Sequence, residues 1–217
     1  MRQHTMTCHK ILFDLDGVLV DSLGLIERIL RAWAAEHELD GDRAVALSHG
    51  RRDIDVVRLI APHLDAAAEA RRIVEREERD IDGLTAARGA AGLLAALPPG
   101  RWAVVTSGTR AVARARLAAA GLPEPAVLVA ADDIVHGKPH PEGYLTAAGL
   151  LDAVPERCVV VEDAAAGVRA AAAAGMRCIG VGPALSGADD QLAAHVAGLH
   201  RVQVAPDGAG VRLSWTS

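Results

Sequence analysis

Five short runs of the chain are apolar along their whole length instead of alternating between apolar and polar residues. They span residues 9–14, 101–106, 126–130, 158–163 and 178–182. Continuous apolar runs of this length are typical of strands that are buried on both faces. Alanine-rich stretches at 110–121, 141–151 and 164–174 separate the later runs and favour helices. This alternation predicts an α/β fold, with a doubly wound, Rossmann-like parallel sheet that carries helices on both faces.

The long interval between the first two predicted strands breaks this alternation. It shows helical patterns and no strand pattern, at residues 22–38, 42–48, 53–61 and 66–82. In the last of these, Glu75 precedes Arg79 by four residues, an order that stabilises a helix. We therefore expect an all-helical cap domain, residues 21–87, inserted into a core domain of residues 1–20 and 88–217.

The two ends of the chain carry different patterns. Residues 201–215 contain two alternating segments around the turn residues APDGAG, which predicts a C-terminal antiparallel β-hairpin with a structural role. The first residues, MRQHTMTCHK, lack the apolar core of a signal peptide. We expect a short tail there, ordered or frayed, with Met6 as an alternative start.

Composition narrows the class of protein. The chain has 217 residues, of which 51% are hydrophobic, and this length suits one enzyme-sized domain with a small insert. A net charge of −5 without a basic face argues against nucleic-acid binding. The sequence contains no run of 18 apolar residues, so it predicts no membrane-spanning helix. Three scattered cysteines favour a reduced, cytoplasmic protein, with Cys158 and Cys178 in the core and Cys8 in a flexible tail.

Reactive side chains follow the predicted strands at the edge of the sheet where open α/β proteins bind ligands. They are Asp14 and Asp16 after the first strand, Thr106 and Ser107 after the second, Lys138 after the third, and Glu162 and Asp163 at the end of the fourth. Mg²⁺ prefers oxygen ligands, so the carboxylates predict a magnesium site. The lysine and the hydroxyl-bearing turn predict an anion-binding site beside it.

These residues lie in four ordered motifs that resemble those of the haloacid dehalogenase (HAD) superfamily. The motifs read DLDGVLVDS, VVTSGT, HGKPHPEGY and VVVEDAAAGV, and the resemblance covers about residues 9–182. Within the superfamily the chain is similar to the branch of β-phosphoglucomutase and the sugar-phosphate and glycerol-phosphate phosphatases. The resemblance implies a Mg²⁺-dependent phosphatase that hydrolyses a small phosphorylated sugar or polyol.

The resemblance also implies how the acidic residues act. Asp14 attacks phosphorus to form an aspartyl-phosphate, while Asp16 protonates the leaving oxygen and then activates water. Mg²⁺ is held by the side chains of Asp14 and Asp163 and by the backbone carbonyl of Asp16. Glu162 supports the ion directly or through water. Asp16 has to be protonated at the moment of transfer, so we expect it to face the cap and not the cation.

Binding of the substrate is assigned to residues in the core and in the insert. The resemblance implies that Lys138 and the Thr106 hydroxyl neutralise the phosphoryl oxygens, helped by backbone N–H groups near Ser107. In the insert, SHGRRDID (48–55) is either a polar turn or a loop that closes over the substrate, with Arg52 as the candidate contact. Asp21 and Ser22 are predicted to cap the first insert helix.

One alternative function stays open, a phosphomutase on the same frame. In β-phosphoglucomutase relatives a histidine lies a few residues into the first cap helix, where this chain has Leu25 or Ile26. This difference weakens the mutase interpretation. Either function implies a small-molecule phosphate ester as the partner, and we expect a monomer or a small homo-oligomer.

Overall fold

The computed structural model describes residues 3–185, 191–208 and 210–216 of the protein. In chain order the strands are β1 (Gln3–Cys8), β2 (Lys10–Phe13), β3 (Val20–Asp21), β4 (Thr85–Ala86), β5 (Trp102–Val105), β6 (Leu128–Val129), β7 (Cys158–Glu162), β8 (Arg177–Val181), β9 (Ala194–Val196), β10 (Val202–Asp207) and β11 (Gly210–Thr216). The α-helices are α1 (Leu23–Glu36), α2 (Gly41–Ser48), α3 (Asp53–Ile60), α4 (Ala66–Arg79), α5 (Ala90–Ala96), α6 (Arg110–Ala119), α7 (Glu142–Leu150) and α8 (Ala165–Ala173).

Six strands form a parallel sheet in the order β6-β5-β2-β7-β8-β9. The central strand β2 is buried on both faces: Ile11 and Phe13 belong to one hydrophobic cluster and Leu12 to the other. This arrangement confirms the predicted doubly wound α/β fold. The sixth strand, β9, was not predicted because its three residues, AHV, are too few to show a strand pattern.

The parallel arrangement brings the ends of three strands to one edge of the sheet. Asp14 directly follows β2, and its backbone N–H donates to Val161 O in β7 at 3.0 Å. Thr106 follows β5 on the other side of β2, and Asp163 follows β7. Parallel strands in neighbouring positions therefore deliver these three residues side by side.

Four helices, α1 to α4, lie between β3 and β4 and are called the helical insert below. Asp40 and Asp65 accept hydrogen bonds from backbone N–H groups at the starts of α2 and α4, which explains why these helices begin there. Trp33 and Ile73 are fully buried inside the insert. The helical character matches the sequence, whereas the domain boundaries at residues 21 and 87 stay a prediction.

Two short strands frame the insert, where the sequence showed no strand pattern. β3 and β4 pair antiparallel, with Val20 opposite Ala86 and Asp21 opposite Thr85. Two residues are too few for alternation or a continuous apolar run, so this ladder depends on contacts that only the folded chain makes. It ties together the two chain segments that lead into and out of the helices.

A second, three-stranded sheet has the order β1-β11-β10. The antiparallel pairing of β10 and β11 confirms the predicted C-terminal hairpin, although Ala209 in its turn lies outside the described residues. The flexible tail predicted for Cys8 is wrong: Gln3–Cys8 is a strand on β11, and Cys8 is buried opposite Val211. Cys158 and Cys178 are buried as predicted. Within the described ranges, each helix is too short or too polar to cross a membrane.

Candidate active site

Lys138 joins two acidic residues at the edge of the parallel sheet. Its Nζ donates to Asp14 Oδ1, to Glu162 Oε1 at 2.7 Å and to the carbonyl of Val105 at 3.2 Å. All three charged side chains are buried. Burial lowers the pKa of Lys138, but the two carboxylates outweigh this effect and raise it above the ordinary lysine value. The ammonium therefore stays charged beside Asp14.

Glu162 organises this cluster, since protein donors occupy both of its carboxylate oxygens. Oε1 also accepts from the Tyr144 hydroxyl at 2.7 Å, and Oε2 accepts from the backbone N–H groups of Asp163 and Ala164 at 3.0 and 3.1 Å. A Cβ on Gly167 would lie 1.6 Å from Oε1, so only glycine leaves room for this carboxylate. Glu162 thus positions Lys138 and the turn of Asp163, and its predicted role toward Mg²⁺ stays a prediction.

The acidic residues fit a divalent cation. Asp14, Glu162 and Asp163 offer carboxylate oxygens that lie within 4.8 Å of one another. Burial raises the pKa of Asp14 to about 8 against the opposing effect of Lys138, and burial followed by the charges of Asp14 and Glu162 raises the pKa of Asp163 to about 9. Three carboxylates thus share one ammonium, and a hard cation with oxygen ligands would relieve the excess negative charge.

Asp16 lies at the boundary between the core and the helical insert. Its Oδ1 accepts from the Ser22 hydroxyl at 2.5 Å, and its Oδ2 accepts from Arg116 Nη1 at 2.8 Å. Arg116 belongs to α6, and its Nη2 donates to Glu77 Oε1 of α4 at 2.8 Å. One buried guanidinium therefore connects Asp16 to the insert, and its predicted orientation away from Mg²⁺ stays a prediction.

Ser22 does not cap α1, contrary to the prediction for Asp21 and Ser22. Its side chain makes no capping hydrogen bond, and its backbone angles (φ −117°, ψ −9°) differ from the extended conformation of a typical capping residue. Asp21 lies in β3 and is exposed. The Ser22 hydroxyl donates to Asp16 instead, so this serine belongs to the candidate site.

The turn after β5 contributes the predicted hydroxyl groups. Thr106 is buried, and its Oγ1 accepts from the backbone N–H of Gly108 at 3.1 Å. Ser107 donates its hydroxyl to the carbonyl of Gly50, a residue of the loop between α2 and α3, at 3.0 Å. The turn therefore contacts the insert directly across the mouth of the site.

Arg52 lies outside the cavity beside the aspartates. Its Nε donates to Asp55 Oδ2 at 2.7 Å, and its Nη1 donates to the carbonyl of Val135 at 3.0 Å, on the loop that leads to Lys138. In this conformation Arg52 links the insert to the core, and its contact with substrate stays a prediction. Arg51 and His49 line the cavity in its place.

A cavity of about 60 Å³ lies between the two parts of the molecule. Asp14, Asp16 and Asp163 line it from the core, with Ser107 and Gly108. Loop residues 48–51 and the side chains of Asp53 and Glu77 close it from the insert. The arrangement gives one partly open cavity that touches the candidate nucleophile, the candidate acid and the acidic cluster.

Arg116, Glu77 and Tyr144 were not among the residues predicted for the site. Arg116 follows Val112 by four residues and precedes Leu117, so it lies on the buried face of α6. Glu77 follows Ile73 by four residues and lies on the buried face of α4. Charges are rarely buried unless they are paired. A charge on the buried face of each helix is therefore the signal that each side chain is buried and paired, although it does not name the partner.

The fold and the site together define a class: an α/β protein whose parallel sheet carries an aspartate, a lysine and further acids at its carboxyl edge, beside a helical insert. The family model of haloacid dehalogenase-like hydrolases matches residues 10–175, and the chain belongs to this family.

Known proteins narrow the class further. The chain is 45% identical over 181 residues to hexitol phosphatase A of Escherichia coli, covering 81% of this chain and 84% of that protein. It is 34% identical over 190 residues to glycerol-1-phosphate phosphohydrolase 2 of Saccharomyces cerevisiae, covering 82% and 76%. A β-phosphoglucomutase from Clostridium difficile superposes with a TM-score of 0.79 at 21% identity, covering 89% and 92%, which is a likeness of fold alone. The chain is thus a phosphoric monoester hydrolase.

Proposed function

We propose that the protein is a Mg²⁺-dependent phosphatase that hydrolyses a small phosphorylated sugar or polyol through an aspartyl-phosphate on Asp14. The observation that carries the proposal is the convergence of residues that are far apart in the sequence: Asp14 and Asp163 line one cavity, and Lys138 donates to Asp14 from behind it. The names of the two curated relatives, a hexitol phosphatase and a glycerol-1-phosphate phosphohydrolase, support this substrate class.

Each residue has a distinct task in this proposal. Asp14 supplies the carboxylate that attacks phosphorus, and Lys138 places its ammonium beside the oxygens that gain charge in the transition state. Asp16 transfers a proton to the leaving oxygen and later accepts one from the attacking water. Mg²⁺, held by Asp14, Asp163 and the backbone carbonyl of Asp16, would act as a Lewis acid toward the phosphoryl group.

The insert acts as a cap that limits access of water. Ser107 and Arg52 bridge the core and the insert through the carbonyls of Gly50 and Val135. Enclosure strengthens the charge interactions around the phosphoryl group and requires an opening motion for substrate entry and product release. We also propose a reducing, cytoplasmic environment, supported by three cysteines that are all free and buried.

The test is release of inorganic phosphate from glycerol 1-phosphate, hexitol phosphates and hexose phosphates, with Mg²⁺ and after chelation. We expect turnover only with Mg²⁺, and a loss of at least about a thousandfold in kcat for Asp14→Asn, because the nucleophile is removed. Asp82→Asn is the matched control, since Asp82 is exposed and lies outside the site cavity. Borohydride reduction of the acyl phosphate should label the peptide that contains Asp14.

The proposal fails if chelation leaves the rate unchanged or if Asp14→Asn keeps wild-type activity. Conversion of β-glucose 1-phosphate to glucose 6-phosphate without release of phosphate would instead support the phosphomutase alternative. The acidic residues Glu27, Asp53 and Glu77 that face the cavity argue against that outcome, because a mutase must also accommodate a second phosphate.

A further inference from the structure

A buried ion pair joins the core to the helical insert beside the cavity. Arg116 of α6 and Glu77 of α4 are bonded at 2.8 Å, and their side chains are 2% and 5% exposed. Arg116 uses Nη1 for Asp16 and Nη2 for Glu77. Its Nε is buried and has no hydrogen-bond partner among the described residues. Phosphoryl transfer as proposed above gives no task to Glu77 or to this N–H.

An unpaired buried N–H is costly, and native proteins seldom leave one without a ligand or a water molecule. Arg116 lines the cavity together with Glu77 and Asp53, so a ligand in the cavity meets a guanidinium and two acidic side chains in one place. This set of groups matches an alcohol, because a hydroxyl both donates and accepts a hydrogen bond.

The charges of the cavity wall select against a second anion. The cavity is lined on the side of the insert by Glu27, Asp53, Glu77 and Arg51, and on the side of the core by Arg116. Arg116 is already neutralised by two carboxylates, those of Asp16 and Glu77. A carboxylate or second phosphate on the leaving group would therefore meet net negative charge, whereas neutral hydroxyls would not.

We propose that Glu77, Asp53 and Arg116 form a hydroxyl-binding subsite for the leaving group of the substrate. The two carboxylates accept hydrogen bonds from vicinal hydroxyls, and the Arg116 guanidinium donates to one hydroxyl oxygen. Because the same guanidinium holds Asp16, the subsite lies next to the residue that protonates the leaving oxygen. It therefore contacts the hydroxyls nearest the ester and selects uncharged polyols. This inference rests on the proposed phosphatase function.

The test compares glycerol 1-phosphate with propyl phosphate, which has the same carbon chain without hydroxyls. The wild-type enzyme with Mg²⁺ should favour glycerol 1-phosphate by at least about a hundredfold in kcat/KM, because sites built to hydrogen-bond a hydroxyl reject analogues that lack it. Glu77→Gln should lower kcat/KM for glycerol 1-phosphate about tenfold and change that for propyl phosphate less than about threefold. Asp53→Asn should act in the same direction.

The matched control is Glu78→Gln, which changes the next residue of the same helix on its exposed face and should leave both substrates unaffected. A purely structural role of Glu77 would lower kcat/KM for both esters by the same factor, and that result would overturn the subsite. Asp53→Asn carries the test if Glu77→Gln does not fold. A wild-type enzyme that hydrolyses both esters equally refutes the subsite alone, whereas one that releases phosphate from none of the sugar and polyol phosphates tested above refutes the proposed function.

Discussion

At the scale of single residues, the site depends on a glycine as much as on its carboxylates. Gly17 has φ +77°, and a Cβ at this position would lie 2.2 Å from Asp163 Oδ2. A side chain there would push Asp163 away from Asp14. The glycine of DLDGVLVDS is therefore needed for two reasons, the left-handed backbone and the close approach of the acid from another motif.

This geometry makes Gly17→Ala a test of the acidic cluster. The left-handed backbone should cost about 1–2 kcal/mol of stability, and the displaced Asp163 should raise the Mg²⁺ concentration for half-maximal activity about tenfold or more. Gly175→Ala is the control, because Gly175 has φ +73° with no atom within 4 Å of the added Cβ. Equal effects of the two alanines on Mg²⁺ dependence would contradict the proposed role of Gly17.

The type of residue and its sequence context decided which parts of the site could be predicted from the sequence. Asp14, Lys138 and Asp163 lie in sequence motifs that indicate their chemistry, and the structure brings them together. Arg116 and Glu77 stand in no such motif, and their partners are 100 and 39 residues away along the chain. Only the packing of α4 against α6 shows that these two charges pair, so periodicity alone predicts their burial but not their function.

At the scale of elements, one carboxylate links two helices of the insert. Glu69 of α4 accepts from Trp33 Nε1 at 2.9 Å and contacts His37 Nε2 at 2.9 Å, both on the α1 side. The hydrogen bond from Trp33 lowers the pKa of Glu69 against the effect of burial, and those from His37 and Arg72 lower it further. The charged form of Glu69 therefore stabilises the packing of α1 on α4.

The expected pH dependence follows from this lowered pKa. A carboxyl group whose pKa is lowered in the folded state stabilises the protein at pH values above its ordinary pKa. This contribution is lost as the pH falls through the folded-state pKa. Glu69→Gln should cost about 1–2 kcal/mol at pH 7, and its difference from the wild type should shrink below about pH 4. Thermal unfolding of both proteins between about pH 4 and pH 7 measures this difference in stability. Exposed Glu75 gives the control, Glu75→Gln, and a difference independent of pH would contradict the assignment.

Elements differed in how well the sequence predicted them, and the length of the apolar run explains much of the difference. β6 has only two residues but was predicted, because it lies in the five-residue apolar run 126–130. β2, β5 and β7 have four or five apolar residues each, enough for the continuous pattern of a strand buried on both faces. β3 and β4 have two residues each and were missed. β1 is longer but reads QHTMTC, which is polar and exposed over most of its length. β1 forms a strand because it pairs with the free edge of β11, and the local sequence of β1 carries no information about that edge.

At the scale of the whole molecule, the three-stranded sheet joins the two ends of the chain. β11 lies between β1 and β10 and buries Val211, Leu213 and Trp215 on one face. Gln3, His4 and Thr5 pair with Thr216, Trp215 and Ser214, and the His4 ring stacks on Trp215 with centroids 5.9 Å apart. The first residues therefore cover an edge strand that would otherwise be open to solvent and to other chains.

A chain that begins at Met6 tests this role. It lacks three of the six β1–β11 pairs and the stacking partner of Trp215 but keeps β2 and every residue of the site. Partial exposure of Trp215 should cost about 1–2 kcal/mol, which lowers Tm by about 4 °C in a chain of this size, and the open edge should promote aggregation on heating. Phosphatase kcat/KM at 25 °C should stay within about twofold, because the small sheet shares no strand with the parallel sheet. His4→Ala is the control that removes the stacking and keeps the ladder. An unchanged Tm would show that the strand adds no stability, and a parallel loss of kcat/KM would show that it positions the site.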